Sequence, residues 1–188
     1  MSGESLGKGL VILDRDGVIN HDSEAFIKNE AEWRPIPGSL DAIAALTRAG
    51  FTLAVASNQS GLARGLFDQH SLDAMHAKML GLVHDAGGRI SRIVFCPHGP
   101  DEACDCRKPK PGLLEQLARH FNTSLEGVPV VGDSLRDLQA AAAVGARPIL
   151  VRSGKGRKTE AALPEQFAGV PVYDDLAAAA RALIEEAA

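Results

Sequence analysis

Asp14 and Asp16 stand two residues apart at the end of the apolar run Leu10-Val11-Ile12-Leu13, and Gly17 follows them. The run has no polar alternation, which predicts a strand buried on both faces, as in parallel sheets covered by helices. Both carboxylates then emerge at a carboxyl edge of the sheet, and in an extended chain their side chains point to one side. Gly17 lets the backbone turn away sharply behind them. Two like charges about 4 Å apart repel by about 4 kcal/mol at an effective dielectric of about 20, so the pair demands a cation or a proton. Asp-x-Asp-Gly also occurs in plain turns and in calcium loops. The calcium reading fits poorly, because an EF-hand loop needs further oxygen ligands, a Glu at its end and a helix on either side.

Other stretches supply the rest of a phosphate chemistry. Asp133, after the apolar run Val128-Pro129-Val130-Val131, adds a third carboxylate, and Asp14, Asp16 and Asp133 together make a hard oxygen site suited to magnesium. Asp137, one helical turn on, supports that site through a water or orients a neighbour. Ser57 offers a hydroxyl beside the backbone N–H groups around Asn58, and Lys108 offers a compact cation. Taken singly, Ser57 also reads as a strand-end turn and Lys108 as a solvated charge; their joint placement speaks for phosphate.

The three cysteines, Cys96, Cys104 and Cys106, lie close together with His98. Such crowding is a poor framework for disulfides but has the composition of a closed Cys3His structural zinc site. The spacings, C-x-H and C-x-C, are not those of a generic zinc finger, and buried free cysteines beside a passing histidine are the plain alternative. Arg107 and Lys108 follow Cys106 directly, so a metal that fixes the cysteine also fixes two cations. Arg107 could hold a second phosphate by a forked hydrogen bond, or pair with Asp22 or Glu24.

Elements must carry these residues to one place. Past a polar tail, 1–8, apolar strands alternate with helical patterns, the signature of a parallel α/β sheet. Strands are predicted at 10–13, 51–56, 90–95, 128–131 and 148–151, with a short last one near 170–173. Helices are predicted from Ser39, as N-cap, to Gly50, and from Asp68 to about 86 with Leu72, Met75, Met79, Leu82 and Val83 as a core stripe. Further helices are predicted at 112–121, at 135–144 between Ser134 and Gly145, and at the alanine-rich C-terminus behind Asp174 or Asp175. Segment 20–38, which holds Trp33, reads as a small flap over the carboxylates, and 152–158 as a solvated basic run in preference to a loop that closes on a phosphate. His21, His70, His76, His84 and His120 share no ligand spacing and are expected on the surface or on helix flanks. Open sheets of this kind bind ligands beyond the carboxyl ends of their strands, where Asp14, Ser57, Lys108 and Asp133 fall.

The 188 residues fit one domain, 1–188, with a real core. A net charge of −4 argues against a general nucleic-acid or anionic-membrane binder. No apolar run approaches the roughly 20 residues of a membrane span, and 1–8 lacks the apolar core of a signal peptide. A cytoplasmic monomer is the expectation, since no apolar stripe demands a partner.

In order, Asp14-Arg15-Asp16-Gly17, Ser57-Asn58, Lys108 and Gly132-Asp133-x-x-x-Asp137 resemble the four motifs of the haloacid dehalogenase (HAD) superfamily of phosphatases. The resemblance implies a Rossmann-like, three-layer parallel α/β fold with a small flap, a zinc loop at 96–108 and no large cap domain. It implies Asp14 as nucleophile forming an aspartyl phosphate, and Asp16 as general acid and then base. Ser57 and Lys108 would hold the transferring oxygens, with magnesium at Asp14, Asp16 and Asp133.

Longer matches at 14–20, 57–65 and 96–109 are similar to the heptose-1,7-bisphosphate 7-phosphatase family, with histidinol-phosphate phosphatases as close relatives. This narrower resemblance implies substrate contacts at Asp22, Ser23, Glu24, Ala25, Ser57, Asn58, Gln59, Ser60, Arg107 and Lys108, and zinc at Cys96, His98, Cys104 and Cys106. It implies release of the 7-phosphate of a small sugar bisphosphate in the synthesis of nucleotide-activated heptose for surface glycans. The family often has a glycine and an aromatic in place of Glu24 and Ala25, and Thr in place of Ser57. Histidinol phosphate carries a cation at its far end, which Arg107 would repel, so electrostatics lean toward the bisphosphate. A zinc-stabilised binding module without catalysis is the reading from another class, although such a module has no reason to keep a repelling carboxylate pair. A mutase is a third, weakened by the lack of a large cap to keep water from the intermediate.

Overall fold

The computed structural model describes residues 6–188, so most of the expected tail 1–8 lies outside the described residues. What remains of it is tied down: the Lys8 N–H donates to the Gly50 carbonyl at 2.9 Å, and its Nζ to the Ala187 carbonyl. Six parallel strands form one sheet in the order β3-β2-β1-β4-β5-β6. They are β1 (Gly9–Leu13), β2 (Phe51–Asn58), β3 (Arg92–Cys96), β4 (Pro129–Gly132), β5 (Arg147–Val151) and β6 (Val172–Tyr173). Between and after them run α1 (Ser39–Arg48), α2 (Gln69–Asp85), α3 (Gly112–Phe121), α4 (Leu135–Ala143), α5 (Gly156–Ala161) and α6 (Leu176–Glu186).

The chain winds outward from β1 to β3, then returns to the other side of β1 for β4 and winds outward again. Strand order reverses between β1 and β4, so the loops leaving these two strands diverge and open a crevice at their carboxyl ends. Leu13 lies opposite Val131 in the ladder, which brings Asp14 and Asp133 out of the sheet side by side.

Because side chains alternate across a strand, β1 feeds two cores. Val11 and Leu13 pack with Ile43 of α1, Met75 of α2 and Ala179 of α6, while Leu10 and Ile12 pack on the other face with Leu113 of α3 and Ala140 of α4. The three expected layers are therefore present, and both faces of the central strands are covered. Trp33 is wholly buried in the first core and ties segment 20–38 to the body of the protein.

Several local expectations are corrected. Ser39 is not an N-cap: Gly38 holds that position, and the Ser39 hydroxyl donates instead to the Ile19 carbonyl at 2.7 Å. Strand β2 runs on to Asn58 and β3 starts at Arg92, because their register continues until Asn58 lies opposite Cys96. By contrast, Asp68 caps α2 by accepting from the Ser71 N–H, and Asp175 caps α6 through the Ala178 N–H, as their residue types lead one to expect.

Candidate active site

The crevice floor is built from four elements. Asp14 follows β1, Asp133 follows β4, Asp137 sits in the first turn of α4, and Lys108 reaches in from the loop between β3 and α3. Carboxylate oxygens of Asp14, Asp133 and Asp137 all lie within 4.8 Å of one another. The buried Lys108 donates from Nζ to Asp14 Oδ1 at 3.0 Å, to Asp137 Oδ1 at 2.6 Å and to the Ala56 carbonyl at 2.9 Å. Burial opposes its charge, but Asp137 and Asp14 outweigh that and raise its pKa. The other oxygen of Asp137 accepts from the Ser134 N–H and hydroxyl at the start of α4, so this carboxylate both caps a helix and braces the lysine.

One ammonium does not neutralise three carboxylates. Burial, with Asp137 facing it, pushes Asp14 up from 3.8 to about 7 against the pull of Lys108, and burial with Asp14 pushes Asp133 up to about 8. A crowded set of buried carboxylates, two of which, Asp14 and Asp133, hold protons near neutrality, fits a divalent cation with oxygen preference. Gly17, at φ 85°, passes directly over this site: a Cβ there would collide with the Asp133 carboxylate and crowd the Cα of Gly154.

Asp16 is arranged differently. Its carboxylate lies outside the Asp14–Asp133–Asp137 cluster and is held by Arg15, from Nε at 3.0 Å and Nη2 at 2.8 Å to Oδ1 and from Nη2 at 3.1 Å to Oδ2. Asn20 Nδ2 donates to Oδ1 at 2.8 Å and Gln59 Nε2 to Oδ2 at 2.9 Å. Burial disfavours its charge, yet Arg15 and these hydrogen bonds prevail and keep its pKa below the usual value. The repulsion read from Asp14 and Asp16 is thus relieved in two separate ways, Lys108 for the first and Arg15 for the second.

Above the floor is a cavity of about 260 Å³, lined among others by Asp22, Ser23, Glu24, Asn58, Gln59, Ser60, Arg107 and Lys108. Two expected contacts are not on its wall. Ala25 is exposed, because the chain turns at Phe26, whose φ is 67°, and Phe26 and Ile27 line the cavity instead. Ser57 is 1% exposed and its hydroxyl accepts from Gln59 Nε2 at 2.7 Å. The Asn58 side chain is engaged as well: Oδ1 accepts from the Lys108 N–H at 3.0 Å and Nδ2 donates to the Lys108 carbonyl at 3.1 Å. That two-way clamp joins the end of β2 to the lysine loop.

Sequence reasoning missed much of the rim. Arg64 and Arg136 join Arg107 on the cavity wall, and burial followed by the charges of Arg136 and Arg64 lowers the Arg107 pKa. Arg107 does not pair with Asp22 or Glu24; its Nη1 donates to the His98 carbonyl at 3.3 Å. The 152–158 run is only partly a solvated charge stretch: Arg157 and Lys158 are exposed, but its first half is engaged. Lys155 donates its N–H to Asp133 Oδ2 at 2.9 Å and pairs through Nζ with Asp22, while the Ser153 hydroxyl donates to the Gly17 carbonyl. Arg152 is held between Glu160 and Asp174. The available signal was position: this run directly follows a strand at the carboxyl edge.

Beside Arg107, Cys96 Sγ lies 3.8 Å from Cys104 Sγ and 3.0 Å from Cys106 Sγ, and His98 Nδ1 lies 3.5 and 3.4 Å from Cys96 and Cys106. A tetrahedral zinc with bonds of about 2.3 Å to sulfur sets donors about 3.5–3.8 Å apart, so the set fits zinc with little movement. Burial pushes the Cys96 thiol up to about 12, hence its thiolate needs a cation beside it.

A family model described as HAD-hydrolase-like matches residues 105–179, and another described as polynucleotide kinase 3 phosphatase matches residues 10–139. The chain is 60% identical over 176 residues to the D-glycero-beta-D-manno-heptose-1,7-bisphosphate 7-phosphatase of Pseudomonas putida, covering 93% of this chain and 99% of the relative. It is 54% identical over 181 residues to the enzyme of the same name from Pseudomonas aeruginosa, covering 96% and 100%. The crystal structure of D,D-heptose 1,7-bisphosphate phosphatase from B. bronchiseptica, complexed with magnesium and phosphate, is similar with a TM-score of 0.91 at 56% identity, covering 95% and 99%. With its carboxylate floor and Lys108 in one crevice, its Cys/His cluster beside Arg107, and this identity along nearly its whole length, the chain belongs to the D-glycero-β-D-manno-heptose-1,7-bisphosphate 7-phosphatase family of HAD-like hydrolases.

Proposed function

We propose that this chain hydrolyses the 7-phosphate of D-glycero-D-manno-heptose 1,7-bisphosphate, in the synthesis of nucleotide-activated heptose. The observation that carries this is the polarity of one cavity: a floor of carboxylates around Lys108, and a rim with Arg64, Arg107 and Arg136. The floor suits a cation-bound phosphoryl group and the rim a second phosphate. A substrate with a cationic far end would meet three guanidinium groups there.

In this reading a free oxygen of Asp14 attacks phosphorus in line, the P–O bond to the sugar breaks, and Asp16 gives a proton to the departing oxygen. Water then attacks the aspartyl phosphate while Asp16 takes its proton, and Asp14 is regenerated. Asp16 is anionic in the substrate-free chain; the phosphoryl anion arriving beside it adds a like charge and raises its proton affinity. Lys108 orients Asp14 and neutralises a transferring oxygen, and Gln59 spans Asp16 and Ser57. Asp14 and Asp133, with Asp137 facing them and the Asp16 carboxylate engaged by Arg15 and Gln59 instead, would hold magnesium, which would supply the positive charge that lets one anion approach another. Cys96, His98, Cys104 and Cys106 would hold zinc, which would fix the loop that carries Arg107 and Lys108. The enzyme would work as a cytoplasmic monomer. Among the described residues only Leu66 and Leu80 are large exposed apolar side chains, and no helix there is long and apolar enough to cross a membrane.

The test is a panel of kcat/KM values for both heptose bisphosphate anomers, histidinol phosphate and fructose bisphosphate. The relatives' names specify the beta anomer, and it is expected to lead the others by about tenfold or more. A preference for histidinol phosphate would overturn the assignment. Stripping zinc with a thiol-competitive chelator should lower kcat/KM by about 10- to 100-fold while magnesium still binds. Full turnover by a sample verified as zinc-free would remove the loop from the mechanism.

A further inference from the structure

Behind Asp16 lie two buried side chains, Arg15 and His76, to which the steps above give no part of their own. Arg15 is 1% exposed, and a guanidinium at that depth needs every donor directed. Nε and Nη2 hold Asp16, and Nη2 also points to Gln59 Oε1 at 3.4 Å. The remaining terminal nitrogen, Nη1, lies 3.3 Å from His76 Nε2. His76 stands on α2, was expected at a surface or helix flank, and is instead buried beside Phe95. Guanidinium can only donate, so Nε2 must accept, and the imidazole is the neutral Nδ1–H tautomer. Burial, and then the charge of Arg15, pull its pKa down to about 4, in keeping with that assignment.

A neutral histidine spent on a buried arginine has one structural consequence: it fixes the rotation of the guanidinium plane. That plane, together with Asn20 and Gln59, sets where the two oxygens of Asp16 point. We propose that His76 is a positioning residue for the proton transfer, acting through Arg15 to aim the Asp16 carboxyl at the departing oxygen. This rests on the reading of Asp16 as general acid. A histidine that merely fills the core would affect stability but would not sense the leaving group.

The leaving group therefore supplies the readout. A sugar alkoxide needs a proton to depart, whereas 4-nitrophenolate does not. The parameter kcat/KM covers only the steps up to loss of the leaving group, so the later use of Asp16 as base does not enter. His76→Leu is expected to lower the ratio of kcat/KM for heptose bisphosphate to that for 4-nitrophenyl phosphate about tenfold. His76→Gln, whose Oε1 can accept from Arg15, should restore the ratio to within about threefold of the wild type. The ratio is taken within each variant, so it does not depend on the fraction folded; should His76→Leu not fold, His76→Asn, too short to reach the guanidinium, carries the same expectation. Asp16→Asn is the control. If it collapses the ratio while His76→Leu leaves it unchanged, the positioning role is wrong and Asp16 stands as the acid. If Asp16→Asn also leaves it unchanged, the acid assignment fails and this proposal with it.

Discussion

Asp14→Asn is expected to reduce phosphate release by about 10⁴-fold or more, since an amide oxygen cannot form the acyl phosphate. The same substitution should make the metal-free protein more stable above neutral pH. Asp14 and Asp133 have folded-state pKa values raised from 3.8 to about 7 and about 8, so between those limits the folded chain binds more protons than the unfolded one. Their favourable contribution is fully present below about pH 4 and is lost as pH rises through 7 to 8, where the two titrate as a pair. The metal-free wild type should therefore melt lower at pH 8 than at pH 5. At pH 8 Asp14→Asn should raise Tm by several degrees, about 1 kcal/mol or more, and at pH 5 change it little. Magnesium should stabilise the wild type more as pH rises, because binding no longer has to displace protons. Calorimetry with and without magnesium at the two pH values reads all of this; an Asn variant that is active, or one less stable at pH 8, would count against the floor as described.

Lys108→Met should be the most damaging single change to stability at the site. The ammonium lies between Asp14 and Asp137 and is 5% exposed, so its removal leaves buried carboxylates facing one another. Breaking a buried pair from one side costs about 3–5 kcal/mol, and that is the expected loss in urea unfolding at pH 8 without metal. At pH 5 Asp14, whose pKa is raised to about 7, is protonated and the loss should fall to about half or less. Magnesium should recover part of the stability but little of the activity, which is expected to drop about 10³-fold. The loop itself should stay in place, because Asn58 holds the backbone of residue 108 and not its side chain. Equal destabilisation at both pH values would mean that Lys108 contributes packing and not charge.

The floor was largely legible because its parts sit at strand ends, and strand ends can be read from short apolar runs. Asp14, Lys108 and Asp133 needed only a parallel sheet to be gathered on one edge. The Cys/His loop was legible for another reason: thiols and an imidazole crowded into one short segment have few uses apart from a metal. Arg15 was hidden in plain view. As part of the motif it carries no role of its own, and only the fold back onto Asp16 shows that it resolves half of the repulsion. His76, one residue after a core methionine on α2, gave no periodic signal, since its partner is 61 positions away.

By itself the sequence determined the chemistry: apolar strands ending in carboxylates, a lysine before a helix, and a metal-binding loop ahead of two cations. These are local matters, set by backbone periodicity and side-chain type. The tertiary structure decided how the charges are shared. It gave Lys108 to Asp14 and Asp137, gave Asp16 to Arg15 and His76, put Arg64 and Arg136 beside Arg107, and drew Lys155 over Asp133. Electrostatic energy depends on distance and burial, and both arise only when segments far apart in the chain are packed against one sheet edge.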